Sequence, residues 1–188
     1  MGGNTKDPDG FGFDEIFSTN AMTERFLRFS QNHPQRFCVV HVAKQKLTCV
    51  LPDGMHRTFR VSTARNGIGS QENSFQTPPG IHRIAEKIGD KAPSGTIFKD
   101  RLDTGTLWKP SLGGDNLVLT RILRLEGLEQ GVNRGQGIDS FQRYIYLHGT
   151  NKEHRIGTPF THGCVCLTNS DIIELFDLVR EDDLVVID

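Results

Sequence analysis

From Arg36 to its last residue the chain is written in short runs of β-forming residues parted by glycine, proline and asparagine, a punctuation that restricts it to an architecture of many short strands. Residues 37–42 and 46–51 are β-rich, a Pro52-Asp53-Gly54 turn follows, and 58–62 resumes the pattern, so this stretch reads as a β-meander. Residues 66–80 read as a long polar loop, and 81–84 as an extended run. Residues 89–114, rich in Gly, Pro and charge, read as an insertion or lid over whatever the sheet presents. Further strands are predicted at 117–125, at 144–147 leading into His148, and at 184–187. Two helices accompany them. Asn20 is a candidate N-cap for one carrying Met22, Phe26 and Phe29 on a single face, and Asn169 or Ser170 for one carrying Ile172, Ile173, Phe176 and Val179, with Asp171 and Glu174 in its first turns. The expected fold class is mainly β with a few peripheral helices.

At 188 residues with a net charge of −1, the chain is long enough to bury a core and offers no electrostatic case for nucleic acid or an anionic membrane surface. Residues 1–35 read as a helical extension packed on a domain formed by 36–188. There are no internal repeats or low-complexity tracts. The start, Met1 to Gly10, lacks the basic, apolar and small-residue regions of a secretory signal, no run reaches membrane-spanning length, and Lys6 stands where a myristoylation motif wants Ser or Thr. As written the chain is expected in the cytoplasm; a chain trimmed from a longer precursor would belong to the periplasm or cell envelope. Of the four cysteines, Cys38 and Cys49 lie in apolar strand-like runs and read as buried structural thiols, and a Cys164–Cys166 bridge across one residue would be strained, so free thiols are expected.

The chemistry is concentrated near the C-terminal end. Tyr146-Leu147-His148-Gly149-Thr150 precedes Ile156-Gly157-Thr158-Pro159 and then Thr161-His162-Gly163-Cys164-Val165-Cys166-Leu167. A free thiol is only a few per cent ionised at neutral pH, so a catalytic cysteine needs a base or cation beside it. His148, at the end of an apolar run, is the candidate base, and the intervening Gly-, Thr-, Asn- and Pro-rich segment can fold back to bring Cys164 to it.

This arrangement resembles the signature of the L,D-transpeptidase (YkuD-type) family, in which His-Gly-Thr precedes an Ile-Gly step and a Ser/Thr-His-Gly-Cys block. Val61-Ser62-Thr63 and Thr77-Pro78-Pro79-Gly80 resemble the family's "VSTG" and "TPTG" elements, so the likeness runs from about Phe37 to Asp188. The resemblance implies a β-sandwich or barrel catalytic domain and an acyl transfer on peptidoglycan tetrapeptide stems. Cys164 would attack the carbonyl of the third, diamino acid residue and expel D-alanine, His148 would carry the proton, and the Gly149 carbonyl would orient the imidazole. The amides of Gly163 and Cys164 would receive the oxyanion. An oxyanion donor is worth about 3 kcal/mol and acid–base help about 3–5 kcal/mol, so both are needed, and no metal or other cofactor is implied.

Many family members carry Arg two residues after the nucleophile, where this chain has Cys166; Arg134, Arg143 and Arg155 are the candidates to supply that charge to substrate. His162 could touch substrate or be a hydrogen-bonded turn residue, and Thr161 reads as a turn-stabilising hydroxyl that borders the substrate site. His33, His41, His56, His82 and His154 have no motif around them and read as exposed or structurally satisfied. His148, His162, Cys164 and Cys166 have the ligand chemistry of a zinc site but not its usual spacing. Cys166, projecting to the same side as Cys164 in an extended segment, reads as a small apolar filler or as a resolving thiol. Three functional classes follow: an acyltransferase that cross-links peptidoglycan, an L,D-carboxypeptidase that trims the same stems, and a non-catalytic peptidoglycan-binding relative. The oligomeric state is not legible.

Overall fold

A computed structural model of the chain describes residues 19–30 and 36–188. The readings made on the first ten residues, on His33 and on the Asn20 side chain lie outside what it describes. Its strands are β1 (Phe37–His41), β2 (Lys46–Val50), β3 (His56–Arg60), β4 (Gly80–Ile88), β5 (Thr96–Lys99), β6 (Leu102–Leu107), β7 (Val118–Gly127), β8 (Tyr146–Gly149), β9 (Val165–Leu167) and β10 (Leu184–Ile187), with helices α1 (Asn20–Ser30) and α2 (Asn169–Leu178). The fold is mainly β. Among the described residues no helix is long and apolar enough to cross a membrane.

The strands join in the order β3-β2-β1-β10-β4-β7-β5-β6, and β8 pairs with both β7 and β9. The path β3-β2-β1-β10-β4-β7-β8-β9 then meets its own beginning. Ser62, two residues beyond β3, forms an antiparallel bridge with Cys166 of β9, its N–H donating to the Cys166 carbonyl at 2.9 Å and its carbonyl accepting from the Cys166 N–H at 2.8 Å. The sheet therefore curls round until the chain just past β3 meets β9, as in a barrel joined at one bridge.

Side-chain alternation decides what fills it. Cys38 and Val40 of β1 and Val185 and Ile187 of β10 point into a large core shared with Leu123, Leu125, Leu147, Val165 and Leu167, while Val39, Leu184 and Val186 point the other way. Both faces of β1 and β10 are thus buried, which is why these strands read as unbroken apolar runs. The second face is covered by α1, whose Met22 and Phe26 lie against Phe37, Val39, Ile81 and Val186; Phe26 and Phe37 rings sit 4.6 Å apart. Burying each such side chain contributes roughly 1.5–3 kcal/mol. Helix α2 lays Ile172, Leu175 and Phe176 into the large core, and its N-cap is Thr168, whose Oγ1 accepts from the Asp171 N–H at 3.1 Å, in place of the Asn169 or Ser170 expected from the sequence. Cys38 and Cys49 face one another across β1 and β2 as free buried thiols.

Three strands escaped the sequence. Residues 89–114 contain the β5–β6 hairpin, anchored on β7 through Ile97 opposite Leu119 and Phe98 opposite Val118. All of β6 is exposed, so it carries no apolar alternation to announce it. Strand β9 is only three residues long.

Two fully buried histidines make the fold sensitive to acid. His82 is held between the Gly80 carbonyl at Nδ1 and the Ser140 hydroxyl at Nε2, and burial pulls both its pKa and that of His148 down to about 4. Between pH ~6.5 and ~4 the unfolded chain binds protons at both positions that the folded chain refuses, so stability is complete above this window and is lost as pH falls through it, at a cost on the order of 3 kcal/mol per histidine. Urea unfolding at pH 7.5 and 5.0 is expected to show a clear drop in midpoint on acidification, smaller in His82→Gln. Equal midpoints at the two pH values would contradict the burial of these imidazoles.

Candidate active site

The site occupies the outward face of β8 and β9. The two strands run parallel, with Leu147 opposite Val165 and His148 opposite Cys166. Leu147, Val165 and Leu167 point into the core, so the alternate residues Tyr146, His148, Cys164 and Cys166 point together to the other side.

The His148 imidazole is buried and its Nδ1 donates to the Gly149 carbonyl at 2.7 Å, which fixes the tautomer and leaves Nε2 as an acceptor. Position 149 has no room for a side chain, because a Cβ there would lie 2.5 Å from the Asn169 Oδ1 and 2.8 Å from the Leu119 carbonyl oxygen. Nε2 faces the Cys166 thiol at 3.6 Å, and the Cys166 Sγ also contacts the Asn116 side chain, with its amide nitrogen at 3.4 Å. Asn116 in turn accepts from the Thr150 hydroxyl at 2.8 Å. The sequence reading assigned Cys166 no contact with the base; the parallel register supplies it.

Cys164 immediately precedes β9. Its thiol donates to the Tyr144 carbonyl at 3.5 Å and it packs against the cluster of Phe98, Ile122 and Tyr146. His148 does not count Cys164 among its hydrogen-bond partners in this arrangement; Cys164 is the neighbour, one pleat along, of the thiol it touches. Burial raises the Cys164 pKa to about 11, against the pull of the Tyr146 amide and the Arg143 guanidinium. Burial likewise raises Cys166, further than Cys164. At neutral pH the site therefore rests uncharged: neutral imidazole beside protonated thiols.

The turn that presents Cys164 is built by the other sequence motifs. The buried Thr161 hydroxyl donates to the Cys164 carbonyl at 2.6 Å and accepts from the Gly163 N–H at 3.3 Å. Thr161 is bridged to Ala64, and its N–H donates to the Thr63 carbonyl at 3.0 Å. The Thr77 hydroxyl donates to the Gly163 carbonyl and accepts from the Ala64 N–H, each at 3.0 Å, so residues 61–64 and Thr77 clamp the turn from two sides. Gly163 has φ +132, and a Cβ there would meet Ile145 at 3.1 Å and the Gln76 carbonyl at 3.3 Å.

The remaining predicted residues divide. Arg143 donates to the Gln76 carbonyl at 2.8 Å and the Gly69 carbonyl at 3.3 Å, and its charge is felt by Cys164. Arg134 sits instead beside Glu126, and Arg155 lies over the Phe160 ring. His162 is exposed and meets the Phe75 ring edge-on at 5.5 Å. Among the described residues no group of three or more His, Cys, Asp and Glu side chains is placed to hold a metal ion. Beside Cys164 opens a cavity of about 340 Å³ lined by Phe98, Asp100, Arg101, Val118, Ile122, Tyr144 and Tyr146. Arg101 was missed because its segment reads as loop; the Asp100-Arg101 pair between two runs of β-formers was the only trace.

A thiol with a pKa near 11 holds far less thiolate at neutral pH than a free cysteine. Alkylation of Cys164 by iodoacetamide at pH 7.5, followed by peptide mass mapping, is expected to run at least about tenfold slower than that of a cysteine peptide and to accelerate up to pH ~11. A rate equal to the free thiol's would show a wetter, more acidic group.

The model of the YkuD family, the L,D-transpeptidase catalytic domain, matches residues 35–187. Among solved structures, an L,D-transpeptidase from Mycobacterium smegmatis superposes with a TM-score of 0.51 at 17% identity, covering 82% of this chain and 58% of that one. L,D-transpeptidase 3 from Mycobacterium tuberculosis, in complex with a faropenem-derived adduct, gives 0.51 at 16% identity, with 82% and 60% covered. A mutant L,D-transpeptidase from Enterococcus faecium gives 0.50 at 14%, with 82% and 50% covered. The chain spans three fifths or less of the length of these proteins, and likeness at such identity is likeness of fold. No curated protein matches the chain.

Proposed function

The chain belongs to the YkuD family of L,D-transpeptidase catalytic domains, and on that premise we propose that it transfers the acyl group of a peptidoglycan tetrapeptide stem through a thioester on Cys164. The observation that carries the reading is the shared outward face of β8 and β9, on which an imidazole with an accepting Nε2 and the partly exposed thiol of Cys164 stand one pleat apart.

Of the two thiols on this face, Cys164 is the partly exposed one, whereas Cys166 is 0% exposed and no peptide carbonyl can approach it. Binding of the donor turns the Cys164 thiol from the Tyr144 carbonyl toward His148. The imidazole takes the thiol proton as sulfur bonds to the carbonyl carbon of the third residue, the carbon–nitrogen bond to D-alanine breaks, and the imidazolium gives its proton to the departing amine. The Gly149 carbonyl, already bonded to Nδ1, stabilises the imidazolium while it lasts. The amides of Gly163 and Cys164 receive the developing oxyanion; the 3.3 Å bond from Gly163 N–H to Thr161 is long enough for a charged acceptor to replace. Arg143, rather than Arg134 or Arg155, is the arginine whose charge favours the thiolate. His162 and Thr161 border the entry, the first exposed beside Phe75 and the second holding the turn. An amine acceptor then completes transpeptidation; water in its place makes the enzyme an L,D-carboxypeptidase, and the partition decides whether it cross-links wall or trims fragments.

Incubation with faropenem and mass mapping is expected to put the adduct on Cys164, to lose it in Cys164→Ala and to keep it in Cys166→Ser. With a soluble tetrapeptide, His148→Gln should lower turnover by about 10²–10⁴. Tripeptide alone identifies hydrolysis and an amine conjugate identifies transfer. An adduct on Cys166, or no covalent chemistry at all, would overturn the assignment, the latter leaving a peptidoglycan-binding module.

A further inference from the structure

At rest the base faces the thiol that does not react. His148 Nε2 lies 3.6 Å from Cys166 Sγ, whereas the Cys164 thiol is turned to the Tyr144 carbonyl. With the Nδ1 proton on the Gly149 carbonyl, Nε2 carries a lone pair and no proton, and Cys166 is its one hydrogen-bond partner among the described residues. Cys166 is 0% exposed, and burial keeps its thiol protonated, so the hydrogen is there to donate. The contact is an S–H donating to an imidazole nitrogen. It occupies the lone pair that the Cys164 proton needs.

Asn116 governs where that S–H points. The residue lies just before β7, and its loop is laced to the chain beyond β8: the Leu117 N–H donates to Asn151 Oδ1 at 2.9 Å, and the Asn151 side-chain amide to the Gly114 carbonyl at 3.3 Å. Thr150 Oγ1 accepts from the Lys152 N–H at 3.0 Å and gives its own hydrogen to Asn116 Oδ1, 2.8 Å away. That bond sets the orientation of the amide. Nδ2 donates to Cys166 Sγ at 3.4 Å, and Oδ1, which has a second lone pair, stands 3.7 Å from the same sulfur. The donors form one directed chain, from Lys152 through Thr150, Asn116 and Cys166 to His148 and on to the Gly149 carbonyl. The thiol thus has two acceptors at nearly equal distance, Nε2 and Oδ1, and its hydrogen passes between them by rotation about the Cβ–Sγ bond. A thiol is a weak donor, so it partners the base without locking it.

We propose that Cys166 and Asn116 release the base on demand: the Cys166 S–H rests on His148 Nε2 and swings to Asn116 Oδ1 when donor binding brings the Cys164 thiol in. Asn116 is then a positioning residue that acts through Cys166. The inference rests on the reading of Cys164 as nucleophile and deepens it. No covalent bond is made or broken in the exchange; one hydrogen bond replaces another, and the vacated lone pair takes the Cys164 proton.

The rate of faropenem acylation at Cys164, followed by mass spectrometry, tests the exchange. A hydroxyl donates more strongly than a thiol, so Cys166→Ser is expected to acylate about tenfold more slowly than the parent, and Cys166→Ala, which leaves the lone pair open, at least as fast. Asn116→Leu removes the alternative acceptor and should slow the parent about fivefold while changing nothing in a Cys166→Ala background, since it acts only through the thiol. A merely structural effect of Asn116→Leu would persist in both backgrounds. Equal rates for Cys166→Ser and Cys166→Ala, or an Asn116→Leu effect of the same size with and without the thiol, overturns the inference. The contact is also read without activity, from the imidazole nitrogen NMR resonances of His148 in Cys164→Ala protein: Nε2 is expected to move downfield when Cys166→Ala is added. An unmoved resonance overturns the inference whatever the kinetics. A resonance that moves, in a protein whose parent takes up no faropenem, supports the resting contact and overturns the catalytic reading.

Discussion

The parallel register of β8 on β9 is the constraint on which the rest depends. By setting Leu147 opposite Val165 it turns three aliphatic side chains into the core, and by the same pleat it turns His148 and both cysteines outward. A slip of one residue would send the imidazole into the barrel and leucine onto the surface. The energy that positions the chemistry is therefore hydrophobic burial on the opposite face of the same strands. The Ser62–Cys166 bridge adds a second hold by tying β9 to the residues after β3.

The motifs that made the chain recognisable have a common geometric meaning. Residues 61–63, Thr77, His148-Gly149 and the Thr161–Cys164 turn are far apart in sequence but touch one another through short backbone and hydroxyl hydrogen bonds. Together they fix where a thiol can sit. The site they build is largely buried and uncharged at rest, with the imidazole pulled down to about 4 and the Cys164 thiol pushed up to about 11. Such a pair does not hold a standing thiolate, which protects the sulfur from casual electrophiles.

What could be read in advance was what is local. Alternation and turn residues disclosed β1, β2, β7 and β10, and helix faces disclosed α1 and α2, because their burial pattern repeats within a few residues. The Gly149 carbonyl as orienter of the imidazole came with the family resemblance, and it is where the structure has Nδ1 bonded. Strand β6 was illegible since an entirely exposed strand has no apolar period, and β9 since three residues cannot display one. The His148–Cys166 contact and the arrival of Arg101 at the cavity depend on strand register, which no short window encodes.

Base and thiol stand on neighbouring parallel strands, so the connection between them must travel back the full length of the pair, and it does so over the outside through an exposed 3-10 turn at Glu153–Arg155. The spacing between imidazole and sulfur is thereby set by the sheet and not by the number of residues in that excursion. A longer or shorter arc would reshape what reaches the entrance while leaving that separation in place.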